Sequence, residues 1–242
     1  MSTPWLSNTY LVADEHALGA VLIDAGGPVE PLLEIVRAQR LRLSHVLLTH
    51  HHLDHIAELG EVTRAYPHVE VLAHPFERAR IDGLTTGDLH DGQRLSVGGI
   101  ELSIIHTPGH TAGMVAVLAG GTDVFTGDTL FKGSVGGVHA PGHTSYCDLK
   151  ASVMERLLTL PAHTRILPGH TDASTVADEL AHNPFVRIWR GLDEEGSAPC
   201  LVFGKPATLI LDAVDYDHGS KAWVRWPDGS DDIVPGSQVQ TA

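Results

Sequence analysis

Between Thr49 and Ile56 the chain reads His50-His51-His52-Leu53-Asp54-His55, four imidazoles and a carboxylate in six residues. Neutral imidazole is the commonest metal ligand among protein side chains, so the run points to metal chemistry. In an extended segment residues i and i+2 point to the same side. His50 and His52 can therefore converge on one ion while His51 faces the other way. Where the chain then turns into a helix, Asp54 and His55 can be presented together. They would serve a second ion nearby or orient the ligands of the first.

A metal site needs further ligands from elsewhere in the chain. Three candidates share one context, an apolar strand-like run followed by glycine or threonine. They are His110 in IIHTPGHTAG, Asp128 in VFTGDTLF and His170 in RILPGHTDAS. Strand-end loops are where a rigid scaffold concentrates functional groups, and adjacent glycines let the backbone approach closely. Of the other histidines, His45, His68, His90, His163 and His182 fall at strand starts, turns or helix ends and read as structural or surface residues. His74 and His106 are expected to be buried near strand ends.

The elements that must position these groups alternate along the first two-thirds of the chain. Residues 8–14 and 18–26 read as strands, 29–40 as a helix with Leu32, Leu33, Ile35 and Val36 on one side, and 45–49 as a buried strand. Asp54 is expected to cap the helix that follows. Strands are expected at 69–74, 100–107, 114–120, 123–128 and 164–169, and helices at 148–160 and 174–182. A glycine-rich loop spans 130–146. The last 45 or so residues change character and read as short strands with turn signals. We therefore expect a main domain over 1–195 and a small β-rich extension over 196–242.

The 242 residues carry a net charge of −14, with 16 Lys plus Arg against 30 Asp plus Glu and 17 His. That balance opposes binding to phosphate backbones, which needs a basic face, and disfavours anionic membranes. No apolar run approaches the roughly 18 residues needed to span a bilayer. The first 16 residues lack a basic-then-apolar leader pattern. Two cysteines give no disulfide framework, so a cytoplasmic location is expected, with a small molecule rather than nucleic acid or membrane as partner.

The motifs THHHLDH (49–55), TPGHTAG (107–113), FTGDTLF (125–131), LPGHTD (167–172) and NPF (183–185) resemble, as a set, those of the metallo-β-lactamase superfamily. Within it they look like the glyoxalase II (hydroxyacylglutathione hydrolase) branch, over about residues 8 to 190. The resemblance implies an α/β fold, an αββα sandwich with a binuclear site at one edge. It assigns His50, His52 and His110 to a first ion, Asp54, His55 and His170 to a second, and Asp128 to both. Such nitrogen and oxygen ligands without thiolate suit two divalent ions, zinc first, with iron or manganese as alternatives. A metal-held hydroxide would attack an ester, thioester or lactone carbonyl, with Asp54 orienting it or relaying its proton. Lys132, His139, His143 and Tyr146 are placed where a substrate could reach them.

The resemblance has limits. Glutathione-using members carry a C-terminal helical extension with basic and aromatic residues, whereas this chain ends in an acidic, strand-like tail. The family's GSVGRTD stretch reads GSVGGVHAPGH here, with Gly137 in place of an arginine, so glutathione thioesters are doubtful substrates. Three other readings stand beside the hydrolase. One is a persulfide dioxygenase with a single iron on His50, His110 and Asp128. The others are an acyl-homoserine lactone lactonase and a non-enzymatic, metal-bound scaffold. The tail holds Leu209, Ile210, Leu211, Trp223 and Trp226 but is too short for a robust independent core. It is expected to pack on the sandwich or on a second subunit, giving a possible homo-oligomer.

Overall fold

The computed structural model describes residues 7–14, 16–81 and 83–241. The reading of the first 16 residues as leaderless therefore falls partly outside the described residues. Two sheets stack face to face. The first joins β1 (Tyr10–Ala13), β2 (Gly19–Ile23), β3 (Arg42–Leu47), β4 (Glu70–Ala73) and β5 (Gly87–Asp88), in that order. Only the β1–β2 pair is antiparallel. The second sheet is built from β6 (Arg94–Val97), β7 (Ile100–His106), β8 (Val115–Ala119) and β9 (Asp123–Gly127). A small hairpin, β10 (Leu130–Phe131) and β11 (Ser134–Val135), interrupts the glycine-rich loop before β12 (Arg165–Pro168) and β13 (Ser174–Thr175) complete that sheet in the order β13-β12-β9-β8-β7-β6.

Strand alternation divides the core into layers. In β2, Val21 and Ile23 face the second sheet and meet Leu102, Ile104, Val115, Val117 and Phe125. Ala20 and Leu22 face outward, where the helix Glu30–Ala38 lays Leu33 and Val36 over them and Leu59–Ala65 adds Leu59 and Val62. On the far side, Ala116, Val124 and Ile166 are covered by Leu149, Val153, Leu157 and Phe185. The result is an αββα sandwich.

Three local expectations are revised. The helix after the histidine run spans Leu53–Ile56 and its N-cap is His52, so Asp54 sits in its first turn rather than at the cap. The helix expected over 148–160 begins at Tyr146, capped by the Ser145 hydroxyl, and its second half, Ser152–Leu157, widens to π geometry. The segment 130–146 contains the β10–β11 hairpin instead of being loop throughout.

The tail forms its own antiparallel sheet of β14 (Ala198–Val202), β15 (Lys205–Val214), β16 (Ser220–Arg225), β17 (Asp231–Pro235) and β18 (Val239–Thr241), ordered β17-β16-β15-β14-β18. One face gathers Cys200, Val202, Ala222, Val224 and Val234. The other presents Ile210, Ala213, Trp223 and Ile233 to Leu149, Tyr146 and Phe185 of the helical layer. The extension is therefore docked on the sandwich of its own chain. No helix of the described residues is long and apolar enough to cross a membrane.

Candidate metal centre

The seven candidate residues come together where β3, β7, β9 and β12 end. His50 and His52 follow β3, His110 lies in the β7–β8 connection, Asp128 follows β9 and His170 follows β12. Three ligand sets each have their donor atoms within 4.8 Å of one another: His50, His52 and His110; His50, His55 and Asp128; Asp54, His55 and His170. Asp128 lies between the outer two. Its Oδ2 is 3.6 Å from His110 Nε2, 4.0 Å from His50 Nε2 and 3.4 Å from His170 Nε2, and its Oδ1 is 3.3 Å from His55 Nε2. On the far side, Asp54 Oδ2 stands 3.3 Å from His170 Nε2 and 3.7 Å from His55 Nε2.

Hydrogen bonds behind the rings decide which nitrogens face the centre, because carbonyls and carboxylates only accept. His55 Nδ1 donates to Asp24 Oδ2 at 2.8 Å, His110 Nδ1 to the Gly137 carbonyl at 2.8 Å, and His52 Nε2 to the Pro141 carbonyl at 2.9 Å. Thr49 Oγ1 gives its proton to Asp24 Oδ2 at 2.8 Å and so accepts from His50 Nδ1 at 3.1 Å. These bonds leave His50 Nε2, His52 Nδ1, His55 Nε2 and His110 Nε2 as bare lone pairs turned inward. His50 Nε2, His55 Nε2 and Asp128 Oδ1 are buried and have no hydrogen-bond partner among the described residues. Bare acceptors facing one another at 3.0–3.3 Å repel unless a cation or a proton lies between them, so the donor set fits divalent ions.

The electrostatics agree. Burial holds His50 well below the usual imidazole range, lowers His52, and pushes His110 down to about 4. Burial also opposes charge on His55, but Asp128 and Asp24 outweigh it and hold His55 well above that range. For His170 burial loses to the hydrogen bond and charge of Asp128, aided by Asp54, and the imidazole is brought up to about 9. Burial would raise Asp128, yet His55 and His170 keep it well below the ordinary carboxylate range. Two carboxylates among inward lone pairs thus call for positive charge, which protons or metal ions can supply.

Close backbone approach is required at two glycines. A Cβ on Gly169 would lie 2.3 Å from Asp128 Oδ1 and 2.7 Å from His55 Cε1, so any side chain there would fill the space between two ligands. Gly127, with φ +48°, brings β9 against Thr49.

The expected substrate contacts divide. His139 lines the larger of two cavities over the centre and donates from Nε2 to Asp232 Oδ2 at 2.9 Å. His143 is exposed in the same loop, with its ring 5.9 Å from that of His139. Lys132 is exposed and pairs with Asp172 at 3.4 Å, beside a separate cleft formed with Asp178 and Glu179. Tyr146 does not reach the site. It is buried at the start of its helix, its hydroxyl accepts from Trp189 Nε1 at 2.8 Å, and its ring packs on Trp223 at 5.4 Å. The apolar surface of the tail claims it.

His51 turns away from the ligand sets, and its Nδ1 meets the carboxylate of Glu77. His74 and His106 are half-buried and lie stacked, 4.6 Å apart. Four residues that the sequence reading did not single out complete the site. Asp24, 2% exposed and with φ +60°, holds both Thr49 and His55; its signal was available, a carboxylate ending an apolar strand just before Ala25-Gly26. Glu77 in PFER gave none. Tyr216 and Lys221 belong to the tail, and nothing local announces that they fold back over the centre.

Residues 2–170 match the model of the metallo-β-lactamase superfamily, and the chain belongs to that family. Among its relatives is a probable metallo-hydrolase of Bacillus subtilis, YqgX, 32% identical over 205 residues, which cover 76% of this chain and 93% of that one. A hydroxyacylglutathione hydrolase from Xanthomonas euvesicatoria is 33% identical over 170 residues, 70% of this chain and 64% of that protein. Of solved structures, TTHA1623 in a di-iron-bound form is 35% identical with a TM-score of 0.65, covering 76% of this chain and 97% of its own. ETHE1 from Myxococcus xanthus is 32% identical with a TM-score of 0.66, covering 74% and 78%. These likenesses mark the chain as a metallo-hydrolase family member with a metal-binding centre. The family model ends at residue 170, so the five-stranded tail lies wholly beyond it.

Proposed function

We propose that this protein is a binuclear metallohydrolase that opens the ester, thioester or lactone carbonyl of a small substrate. The observation that carries this reading is the pair of ligand sets, His50–His52–His110 and Asp54–His55–His170, on either side of Asp128. A single-ion reading on His50, His110 and Asp128 leaves the second set without use. Zinc, iron or manganese ions held there would lower the pKa of a coordinated water from 15.7 towards about 7 and polarise the substrate carbonyl.

The chain's own groups do the rest. Asp54 is 18% exposed on its side chain and lies at the wall of the smaller cavity, facing the space where a substrate would sit. Burial would raise its pKa, but the His170 hydrogen bond outweighs it, so Asp54 is a carboxylate ready to orient a water and accept its proton. Asp24, the Gly137 carbonyl and the Pro141 carbonyl hold three imidazoles in their ligating tautomers. Tyr216 covers one face of His170 and limits water there.

The hydroxyacylglutathione hydrolase among the relatives supports thioesters as one substrate class, and the di-iron-bound TTHA1623 supports two ions and keeps iron beside zinc. Cys147 and Cys200 are unpaired thiols, which suits a reducing cytoplasm.

The test is metal content of freshly purified protein, paired with a thioester, ester and lactone panel and an oxygen electrode. Two ions per chain with turnover and no oxygen uptake is the expected result. One iron with oxygen consumed overturns the hydrolase in favour of the dioxygenase. Turnover confined to acyl-homoserine lactones narrows it to a lactonase, and no turnover with metal bound points to a scaffold.

A further inference from the structure

The tail forms one wall of the site. The turn between β15 and β16 brings Tyr216 flat against the His170 imidazole, with ring centroids 4.1 Å apart and planes 6° from parallel. Phe131 braces the tyrosine from the edge, at 5.3 Å. Two cavities, of about 730 and 540 Å³, flank this contact and share His110, Asp128, Ala140, Tyr216 and Asp217. The smaller continues along Leu53 and Pro141, and the larger along Ile233 and Pro235. A carbonyl seated at Asp128 would thus send its acyl part into one cavity and its leaving group into the other, with Tyr216 and Asp217 between them.

Charge in these walls is one-sided. Lys221 is the only lysine or arginine lining either cavity among the described residues. Its ammonium is 8% exposed, 3.0 Å from Asp215 Oδ2, and donates to the Val135 carbonyl at 2.6 Å. Its charge is therefore already met. His139 is engaged by Asp232. Asp217 is exposed, and among the described residues its Oδ1 accepts only the Gly219 backbone N–H of its own turn, at 2.8 Å. The chain's net charge of −14 adds a field of the same sign, which draws cations towards the opening and repels anions.

We propose that the Asp215–Gly219 turn of the C-terminal extension is the substrate selector of this site, with Tyr216 as the platform for an apolar or flat group and Asp217 favouring a cationic over an acidic one. This rests on the hydrolase reading and names its substrate class: small acyl compounds that are neutral or positively charged, unlike the acidic thioesters that glutathione forms. The selector lies outside the part of the chain that the family model covers, which is where a specificity peculiar to this protein would be expected.

The experiment uses full-length, metal-loaded protein and three 4-nitrophenyl esters of matched size: pentanoate, hemiglutarate and 4-(trimethylammonio)butanoate. Wild type is expected to prefer the cationic over the anionic ester by about tenfold in kcat/KM or more, the scale on which one opposed charge discriminates. Asp217→Asn keeps the turn's hydrogen-bond acceptor and should shrink the ratio several-fold, and Asp217→Lys should reverse it, chiefly through KM. Tyr216→Ala should raise KM for all three with metal content retained. An unchanged ratio in Asp217→Lys, with turnover intact, overturns the selector while leaving the hydrolase standing. If wild type cleaves none of these esters, the thioester and lactone panel judges the hydrolase reading, and binding judges the turn by itself. Calorimetry with benzyltrimethylammonium and phenylmethanesulfonate should show the cation bound more tightly by wild type and not by Asp217→Lys. Equal binding of the two by wild type overturns the selector.

Discussion

The Glu77 carboxylate receives both the ring Nδ1–H and the backbone N–H of His51, the latter at 2.9 Å, although Glu77 is 1% exposed. It also accepts the Gly113 N–H at 2.7 Å. One buried carboxylate thus ties the His50–His55 run to the loop that carries His110. Burial would raise its pKa, but the His51 hydrogen bond leads the contacts that bring it below the ordinary glutamate value.

Glu77→Gln should therefore act at a distance from the ions. It keeps the size of the side chain but loses the charge that several donors share, at a cost of about 2–3 kcal/mol. Urea unfolding should read that loss, and metal affinity should fall about 10- to 100-fold, as it does when ligand supports are removed. His51→Ala tests the other partner. Strand alternation alone makes His51 a bystander, but its removal leaves Glu77 buried without its imidazole. We expect a stability loss similar to that of Glu77→Gln with both ions retained. A variant as stable as wild type would show that the pair contributes nothing.

The two ligand sets predict different metal counts on mutation. His110→Ala removes a donor from the His50–His52 set and leaves Asp54, His55 and His170 complete. Elemental analysis should find about one ion per chain instead of two, with turnover lost, since in the proposed reaction both ions would polarise the carbonyl and activate the water. Asp128→Asn removes the carboxylate that lies 3.3–4.0 Å from imidazoles of both sets and should empty both positions. Equal counts in the two variants would contradict the bridging role.

Much of this was legible because metal chemistry needs particular side chains at strand ends: His50, His52, His110, Asp128 and His170 stand in loops that follow strands, and Asp54 and His55 stand on the short helix entered from the first of these loops. The layers were legible for a related reason: two-residue alternation in β2 places Val21 inside and Leu22 outside. The tail was not. Its strands could be read from turn signals, but where Trp223 and Tyr216 land depends on docking across more than 40 residues of sequence, which no local pattern encodes. Tyr146 was misjudged for the same reason: it sits beside the glycine-rich loop in sequence, yet Trp223 and Trp189 enclose it.

The pair His139–Asp232 joins that loop to the tail and gives a pH signature. Its hydrogen bond to Asp232 raises His139 above the ordinary imidazole value, and burial only partly opposes this. For Asp232 burial raises the pKa, but His139 outweighs it and the net shift is downward. A raised histidine contributes stability that is complete below its unfolded value of about 6.5 and is lost as pH rises through the folded value. A lowered aspartate contributes above about 3.9 and loses that as pH falls. The tie is thus strongest between about pH 4 and 6.5. The imidazole is 37% exposed on its side chain, so the effect belongs with surface pairs of less than about 1 kcal/mol. Thermal unfolding of His139→Ala should lag wild type at pH 6 and match it at pH 9; a gap that widens with pH would reverse the assignment.

Trp223 fixes the tail to the sandwich. It is 2% exposed and packs on Tyr146 and Trp189 at 5.4 and 6.3 Å, and its Nε1 is buried with no hydrogen-bond partner among the described residues. Trp223→Ala should cost about 3–5 kcal/mol by opening a cavity in the cluster it shares with Ile210 and Leu149. Trp223→Phe keeps most of the apolar contact and removes the unsatisfied N–H, so it should cost less than about 1.5 kcal/mol. Because the same sheet carries Tyr216 to His170, Trp223→Ala should also raise KM more than it lowers kcat, whereas Trp223→Phe should leave KM close to wild type. Removing residues 198–241 altogether should bare Leu149 and Phe185 and yield aggregating protein, read by light scattering. A stable, monodisperse truncation would mean that the sandwich covers this face by itself.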